Sequence, residues 1–388
     1  MESICFITNK YPNRSEPSVL VFLQQLVWSM ADKGIKCTVI APMPTNIYPK
    51  YREQPYHTIE RTEHGAEINV YWPKYTGFGD SHRIMGWSPA RLTTSLFTRV
   101  AINTIEKEKI EMDAVYAHFL EPAGVAAARI GRKYNKPAFV AYGEATFATI
   151  DLYGEKALRK EFSSLAGVIA VATQNKEMLI ERTIVPDEKI GVFPNGFRPE
   201  RFFPRDKKES RDRFGLPDEK FIVGFVGSFD NRKGTKRLSE AVDQCDDVYA
   251  IFAGKGELKP TAPKTLWSDG VNNTELPWFY SAADVFVLPT LNEGCCNAII
   301  EAMACGLPIV SSDRRFNDDI LDDSCAIRIN PESVEEITDA IKKIHADVEL
   351  RNNLSMGSLN KAKKLTLMNR TENILCFIEY KGKIIHEK

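Results

Sequence analysis

The chain has 388 residues, 43% hydrophobic and 27% charged, with 51 basic against 52 acidic side chains and a formal net charge of −1. That length exceeds one ordinary domain, and the composition is globular and rich enough to fill two cores. The balanced charge leaves no footprint for a polyanion, so nucleic acid is not an expected partner.

Ile4–Ile7 reads as a short apolar strand, followed by a Pro-, Asn- and Ser-rich loop from Tyr11 to Pro17. Ser18 is placed to cap a helix with Leu20, Leu23, Leu26, Val27 and Met30 at roughly helical spacing, and Gly34 is its stop. Strands are predicted at Cys37–Ala41, Ala66–Trp72, Ala114–Ala117, Ala138–Ala141 and Val168–Val171, and helices at Leu92–Ile105, Gly124–Tyr134 and Lys176–Glu181. Phe193-Pro194-Asn195-Gly196-Phe197 breaks the pattern, and the charged, Pro-containing stretch Arg198–Lys220 reads as a linker. The alternation then restarts with strands at Phe221–Val226, Val248–Ala253, Asp284–Leu288 and Ile309–Ser311. Helices are predicted at Ser239–Gln244, Asn297–Cys305, Val334–Ala346 and around Glu372–Lys381.

This repetition predicts an α/β protein of two doubly wound, Rossmann-like domains, roughly residues 1–200 and 205–370, facing across a cleft. The helix from about residue 370 to 388 is expected to pack back on the first domain. Ligands of open parallel sheets collect at the carboxyl ends of the strands. A dinucleotide-linked dehydrogenase is disfavoured: the loop after Ile7 has no glycine, and Gly254-Lys255-Gly256 is not completed by a third glycine opening a helix.

The eight cysteines include no Cys-x-x-Cys pair, which argues against a zinc site or a disulfide framework and fits a reducing cytoplasm. The first residues lack the basic start, apolar run and cleavage site of a signal peptide, and no apolar run reaches the ~18 residues of a membrane span.

The densest segment runs from Asp284 through Pro289, Glu293-Gly294-Cys295-Cys296-Asn297 and Glu301 to Pro308. A buried strand delivers the chain to a glycine-containing loop, and a helix starts there whose first amides are free to hold a phosphate. Glu293 stands before the helix and Glu301 about two turns into it, ~12 Å apart if all were helical. That spacing lets one carboxylate accept from sugar hydroxyls and the other from a ribose, with phosphates between.

Glu293 and Glu301, followed by Ala302-Met303-Ala304-Cys305-Gly306-Leu307-Pro308, resemble the paired-glutamate motif of retaining glycosyltransferases of the GT-B fold. The match is to the large family 4, the glycosyl transferases of group 1. Phe193–Phe197 is similar to that family's domain-junction signature, and Ser281–Pro289 to the strand before the motif. The resemblance implies a nucleotide-diphosphate sugar as donor, UDP being the commonest, and a saccharide or lipid-linked saccharide as acceptor. It also implies retention of anomeric configuration and no metal or other cofactor, and the chain has no Asp-x-Asp metal motif.

In Val226–Gly234, Lys233 is placed like the family lysine on the donor diphosphate, while Ser228 stands where the family usually has Arg, which leaves Arg232 to supply the second cation. His118 ends an apolar strand and matches the family histidine that contacts the transferred sugar. Catalytic candidates are therefore His118, Lys233 and Glu293, and donor-binding candidates are Arg232, Lys233, Gly294, Cys295, Cys296, Asn297 and Glu301. Cys295 and Cys296 replace an aromatic-Pro pair and read as small residues close to the donor sugar. Arg14 and Glu16, in a loop that replaces the family's glycine pair, are acceptor candidates together with Tyr142 and Glu144, where the family often has His at position 142.

Residues 75–100 hold Tyr75, Phe78, Arg83, Met85, Trp87, Arg91, Leu92, Leu96, Phe97 and Arg99, a basic and aromatic set suited to peripheral contact with the inner face of the cell membrane. The alternative to an enzyme is a non-catalytic GT-B partner of another transferase, favoured by Ser228 and Tyr142. A phosphorylase or sugar-nucleotide epimerase is a third reading.

Overall fold

The computed structural model describes residues 1–78, 89–145 and 148–386. Of the residues singled out for membrane contact, Arg83, Met85 and Trp87 lie outside those described. The chain forms two compact units, Met1–Phe193 with the residues from Thr371 on, and Pro194–Arg370.

In chain order the first unit carries β1 (Ser3–Thr8), α1 (Val21–Asp32), β2 (Lys36–Ile40), β3 (Met43–Pro44), β4 (His57–Arg61), β5 (Glu67–Tyr71), β6 (Lys74–Tyr75) and α2 (Ala90–Lys107). There follow β7 (Ala114–His118), α3 (Val125–Tyr134), β8 (Ala138–Tyr142), α4 (Ala148–Tyr153), α5 (Glu155–Phe162), β9 (Gly167–Ala170), α6 (Thr173–Glu181) and β10 (Ile190–Val192). One sheet runs β10-β9-β8-β7-β1-β2-β5-β4, parallel except for the antiparallel β4–β5 edge pair, while β3 and β6 pair separately. The central strands β1, β7, β8 and β9 are buried along their whole length, as strands covered on both faces must be. β4 was not expected from the sequence; its residues alternate between exposed and partly buried, so it lacks a continuous apolar run.

Two local expectations are corrected. Ser18 does not cap the first helix: α1 begins at Val21 behind Leu20, which adopts φ 46°, and no side chain caps it. The helix predicted from Gly124 begins at Val125, because residues Leu120–Gly124 form a wider turn first.

The second unit carries α7 (Lys207–Phe214), β11 (Phe221–Val226), α8 (Thr235–Asp243), β12 (Val248–Ala253), β13 (Thr265–Asp269), α9 (Leu276–Ala282), β14 (Val285–Leu288), α10 (Asn297–Ala304), β15 (Ile309–Ser312), β16 (Ala326–Ile329), α11 (Val334–Ala346) and α12 (Val348–Ala362). Its six strands are all parallel, in the order β13-β12-β11-β14-β15-β16. The last helix, α13 (Leu367–His386), crosses the division. In the first unit its Thr371 hydroxyl donates to Ser29 Oγ at 2.8 Å, and its Phe377 ring lies so close to Gly167 that a Cβ there would sit 2.7 Å from it.

The stretch Arg198–Lys220 is no simple linker, because it contains α7. The Asp206 carboxylate caps that helix by accepting from Glu209 N at 2.8 Å, and Gly215 ends it in the left-handed conformation at φ 63°. The buried residues of α7 are Ser210 and Arg211 rather than an apolar stripe, so periodicity gave no sign of it. Arg211 donates to Asp284 Oδ2 at 2.8 Å and to Ala282 O at 3.1 Å, tying α7 to the entry of β14.

Candidate functional site

In the second unit the site grows from two loops at the carboxyl ends of β11 and β14. After β11, Gly227 N donates to Ala253 O at 3.0 Å and Phe229 N to Lys255 O at 2.9 Å, which pins the loop to the end of β12. Asp230 closes the turn by accepting from Lys233 N at 2.7 Å and from the Ser228 hydroxyl at 2.5 Å. Gly234 then adopts φ 81° at the start of α8. A Cβ on it would lie 2.5 Å from Pro289 O, so this glycine is what lets the two loops touch. Leu291 N donates to Arg232 O at 2.8 Å and Arg237 Nη2 to Pro289 O at 3.0 Å, lacing the loops together.

That lacing brings Lys233, Arg232 and Glu293 into one cluster. Glu293 Oε1 lies 2.6 Å from Lys233 Nζ, 2.7 Å from Arg232 Nη1 and 2.9 Å from the Thr290 hydroxyl that donates to it. The Lys233 side chain is 12% exposed and that of Arg232 43%, so the lysine sits inside the cluster and the arginine at its rim. Burial works against the Lys233 charge, but Cys296 and Glu293 outweigh it and its pKa is raised.

α10 opens beside the cluster. Cys296 stands at its N-cap in extended conformation, with its sulfur 3.9 Å from Lys233 Nζ. Cys295 turns the other way: its sulfur accepts from Asn195 N at 3.3 Å and its carbonyl from Asn195 Nδ2 at 3.1 Å. Gly294 is buried, and Asn297, the first helical residue, is partly exposed. Further along α10, Glu301 accepts from the Tyr280 hydroxyl at 2.9 Å. Burial pushes its pKa up to about 7, with the Tyr280 hydrogen bond and the Arg201 guanidinium pulling the other way.

In the first unit His118 ends β7, paired in register with Thr8 of β1 and Ala141 of β8, so it stands at the carboxyl edge of the sheet. It is buried, its ring centroid 5.2 Å from that of Phe22 and 4.5 Å from that of Phe119. Phe119 turns the chain at φ 72°. Tyr142 ends β8 fully buried, its hydroxyl without a hydrogen-bond partner among the described residues, and burial raises its pKa. Glu144 follows, partly buried, with its carbonyl accepting from Asn175 Nδ2 at 3.0 Å. Arg14 is exposed and its backbone N–H donates to Gln54 Oε1 at 3.1 Å. Glu16 is engaged within its own unit by the Tyr51 hydroxyl and by Lys50 Nζ at 2.9 Å, and these two partners lower its pKa.

The membrane-contact segment is divided. Phe97 is buried on α2 with its ring against Tyr75, which takes it out of a docking face, whereas Arg91 donates to Tyr153 O at 3.1 Å and stays exposed. Phe78, Leu92 and Arg99 are exposed. Among the described residues no helix is long and apolar enough to cross a membrane, and no group of three or more His, Cys, Asp or Glu side chains is placed to hold a metal ion. Four residues of the site were not singled out from the sequence: Asp230 and Thr290, which bond Lys233 N and Glu293 three residues away, and Tyr280 and Arg201, whose partners Glu301 and Asn273 are distant in sequence.

Residues 206–360 match the family model described as glycosyl transferases group 1, and residues 19–201 match that of glycosyltransferase family 4. The chain is 27% identical over 355 residues to a putative teichuronic acid biosynthesis glycosyltransferase of Bacillus subtilis, covering 88% of each. It is 29% identical over 215 residues, 50% of this chain and 54% of the other, to the Escherichia coli UDP-Gal:alpha-D-GlcNAc-diphosphoundecaprenol alpha-1,3-galactosyltransferase. Among solved structures it is similar to sucrose-phosphate synthase of Thermosynechococcus elongatus, with TM-score 0.77, 17% identity and coverage of 98% of this chain and 99% of that one. It is also similar to Anabaena HepE in complex with UDP, with TM-score 0.72, 15% identity and coverage of 98% and 100%. The two family models between them take in most of the chain and the structural likenesses agree on the architecture: the chain belongs to the group 1 glycosyltransferases and has their GT-B fold.

Proposed function

We propose that the protein is a retaining, metal-independent transferase that takes a sugar from a nucleotide-diphosphate donor, UDP in preference, and passes it to a saccharide or lipid-linked saccharide. The observation that carries this reading is the convergence of Lys233 Nζ and Arg232 Nη1 on one carboxylate oxygen of Glu293 beside the opening of α10. Two cations, one of them almost enclosed, beside the N-terminus of a helix favour an anion there.

Breaking the sugar–phosphate bond places negative charge on the departing diphosphate. Lys233, Arg232 and the first amides of α10 stabilise that charge, and they do so strongly because Lys233 is shielded from water. Glu293, released from the cations as phosphate takes its place, orients the donor sugar through its hydroxyls. Glu301 accepts from the ribose, and His118 contacts the transferred sugar. In retention without a covalent intermediate, the acceptor hydroxyl attacks from the face the diphosphate leaves, and the leaving phosphate oxygen takes the proton.

UDP and a lipid-linked acceptor are supported by the E. coli relative, whose name pairs UDP-Gal with a diphosphoundecaprenol sugar, and by a HepE structure with UDP-glucose. Peripheral membrane contact through Phe78, Leu92 and Arg99 belongs to the same reading, and co-sedimentation with anionic vesicles tests it.

The test of the whole is nucleoside diphosphate release from UDP-, GDP- and ADP-sugars with chelator present, with the product anomer read by NMR. Release with retention supports the proposal. Inversion, or a strict divalent-metal requirement, overturns the corresponding clause, and no release from any donor overturns the reading.

A further inference from the structure

Tyr280 lies on α9 and is 1% exposed. Its ring meets Phe202 at 6.2 Å and Phe286 at 5.6 Å, nearly edge-on to both, so packing fixes its orientation. A phenol held this way needs an acceptor. It finds Glu301 Oε2 at 2.9 Å, a carboxylate on α10 next to the candidate phosphate site. The other groups facing that carboxylate are Arg201, from the loop after β10, and Cys305, at the end of α10. Arg201 Nη2 is spent on Asn273 Oδ1 at 2.7 Å, and burial keeps the Cys305 thiol neutral, its pKa raised to about 12. The phenol is therefore the group that sets where the Glu301 carboxylate points.

We infer that Tyr280 is a positioning residue for donor recognition: its hydroxyl holds Oε2 of Glu301 and leaves Oε1 to accept from the ribose of the nucleotide. This rests on the nucleotide-sugar reading above. The same hydrogen bond opposes the effect of burial on this enclosed carboxyl, and without it Glu301 would hold its proton to higher pH and be a poorer acceptor at neutral pH. Tyr280 thus acts through Glu301 on donor affinity and on its pH dependence.

The experiment is calorimetric titration with UDP-glucose, GDP-mannose and ADP-glucose between about pH 6 and pH 8.5, a range in which a diphosphate diester does not change charge. In the unaltered protein, binding is expected to tighten as pH rises through about 7. Tyr280→Phe keeps the ring; it is expected to bind about fivefold more weakly at neutral pH, with the tightening moved to higher pH. Glu301→Gln is expected to give weak binding independent of pH. A Tyr280→Phe profile that superimposes on the unaltered protein's overturns the inference and leaves the donor reading standing. So does a pH dependence that survives in Glu301→Gln, which keeps the test available if Tyr280→Phe does not fold. Absence of binding by the unaltered protein to all three donors takes down the donor reading, and this inference with it.

Discussion

Lys233 Nζ lies 2.6 Å from Glu293 Oε1, and each residue is almost closed off from solvent by the loops that carry them. The pair joins the loop after β11 to the loop before α10, and Arg232 adds a second cation to the same oxygen. A carboxylate here occupies the attraction that a diphosphate would exert, so the two compete for Lys233.

That competition separates binding from turnover. Glu293→Gln keeps the shape and removes the competing charge. UDP should bind about fivefold more tightly, while sugar transfer falls by ~10²-fold or more because the donor sugar loses its charged acceptor. Calorimetry and initial rates on one preparation check both. Weaker UDP binding in the variant would mean that Glu293 helps to hold the nucleotide.

Gly234 brings the two loops into contact through a conformation, φ 81°, that L side chains rarely adopt, and with Pro289 O where a Cβ would fall. Gly234→Ala should cost about 1–3 kcal/mol of stability in denaturant titration and lower activity further than the stability loss explains, by moving Lys233. Unchanged activity in a folded variant would free Lys233 from this glycine.

Glu301 links stability to pH. Its folded-state pKa of about 7 lies above the ordinary 4.5. Between those values the native state keeps a proton that the unfolded chain has released, so this group's contribution declines as pH rises from about 4.5 to 7 and is level above. Glu301→Gln removes that decline. Denaturation should show the variant more stable at about pH 8, by on the order of 1–3 kcal/mol, and matched to the unaltered protein near pH 4.5. Parallel stability curves would contradict the raised pKa.

Arg211 holds Asp284 from α7 with a side chain only 4% exposed. Arg211→Ala should destabilise by about 3 kcal/mol, because it leaves the largely enclosed Asp284 carboxylate with fewer donors. Arg211→Ala and Arg211→Ala/Asp284→Asn compared by denaturant titration check this, the double variant recovering part of the loss.

What the sequence disclosed follows from how each segment is buried. Strands such as Phe221–Val226 and Ala138–Tyr142 are enclosed on both faces and announce themselves as apolar runs. The α7 helix, buried through Arg211, and the β4 edge strand, half exposed, carry no such run and were not predicted. The same distinction governs the site. Lys233 and Glu293 could be paired only through resemblance to a family, since no spacing rule joins residues so far apart. Glu16 looked free to meet a ligand because its partners Lys50 and Tyr51 arrive from another part of the loop region. Tyr280 gave no signal, because its role depends on which way a packed ring faces.

A nucleoside diphosphate is expected to bind at the opening of α10 against Lys233. The decisive measurement is thermal shift with UDP, GDP and ADP, run side by side on the unaltered protein and on Lys233→Ala. At least one nucleotide should raise the melting temperature of the unaltered protein, by ~2.7 kcal/mol of stabilisation at 100 times its Kd, and the shift should largely disappear in Lys233→Ala. An equal shift in both proteins, or none with any of the three nucleotides, would contradict it.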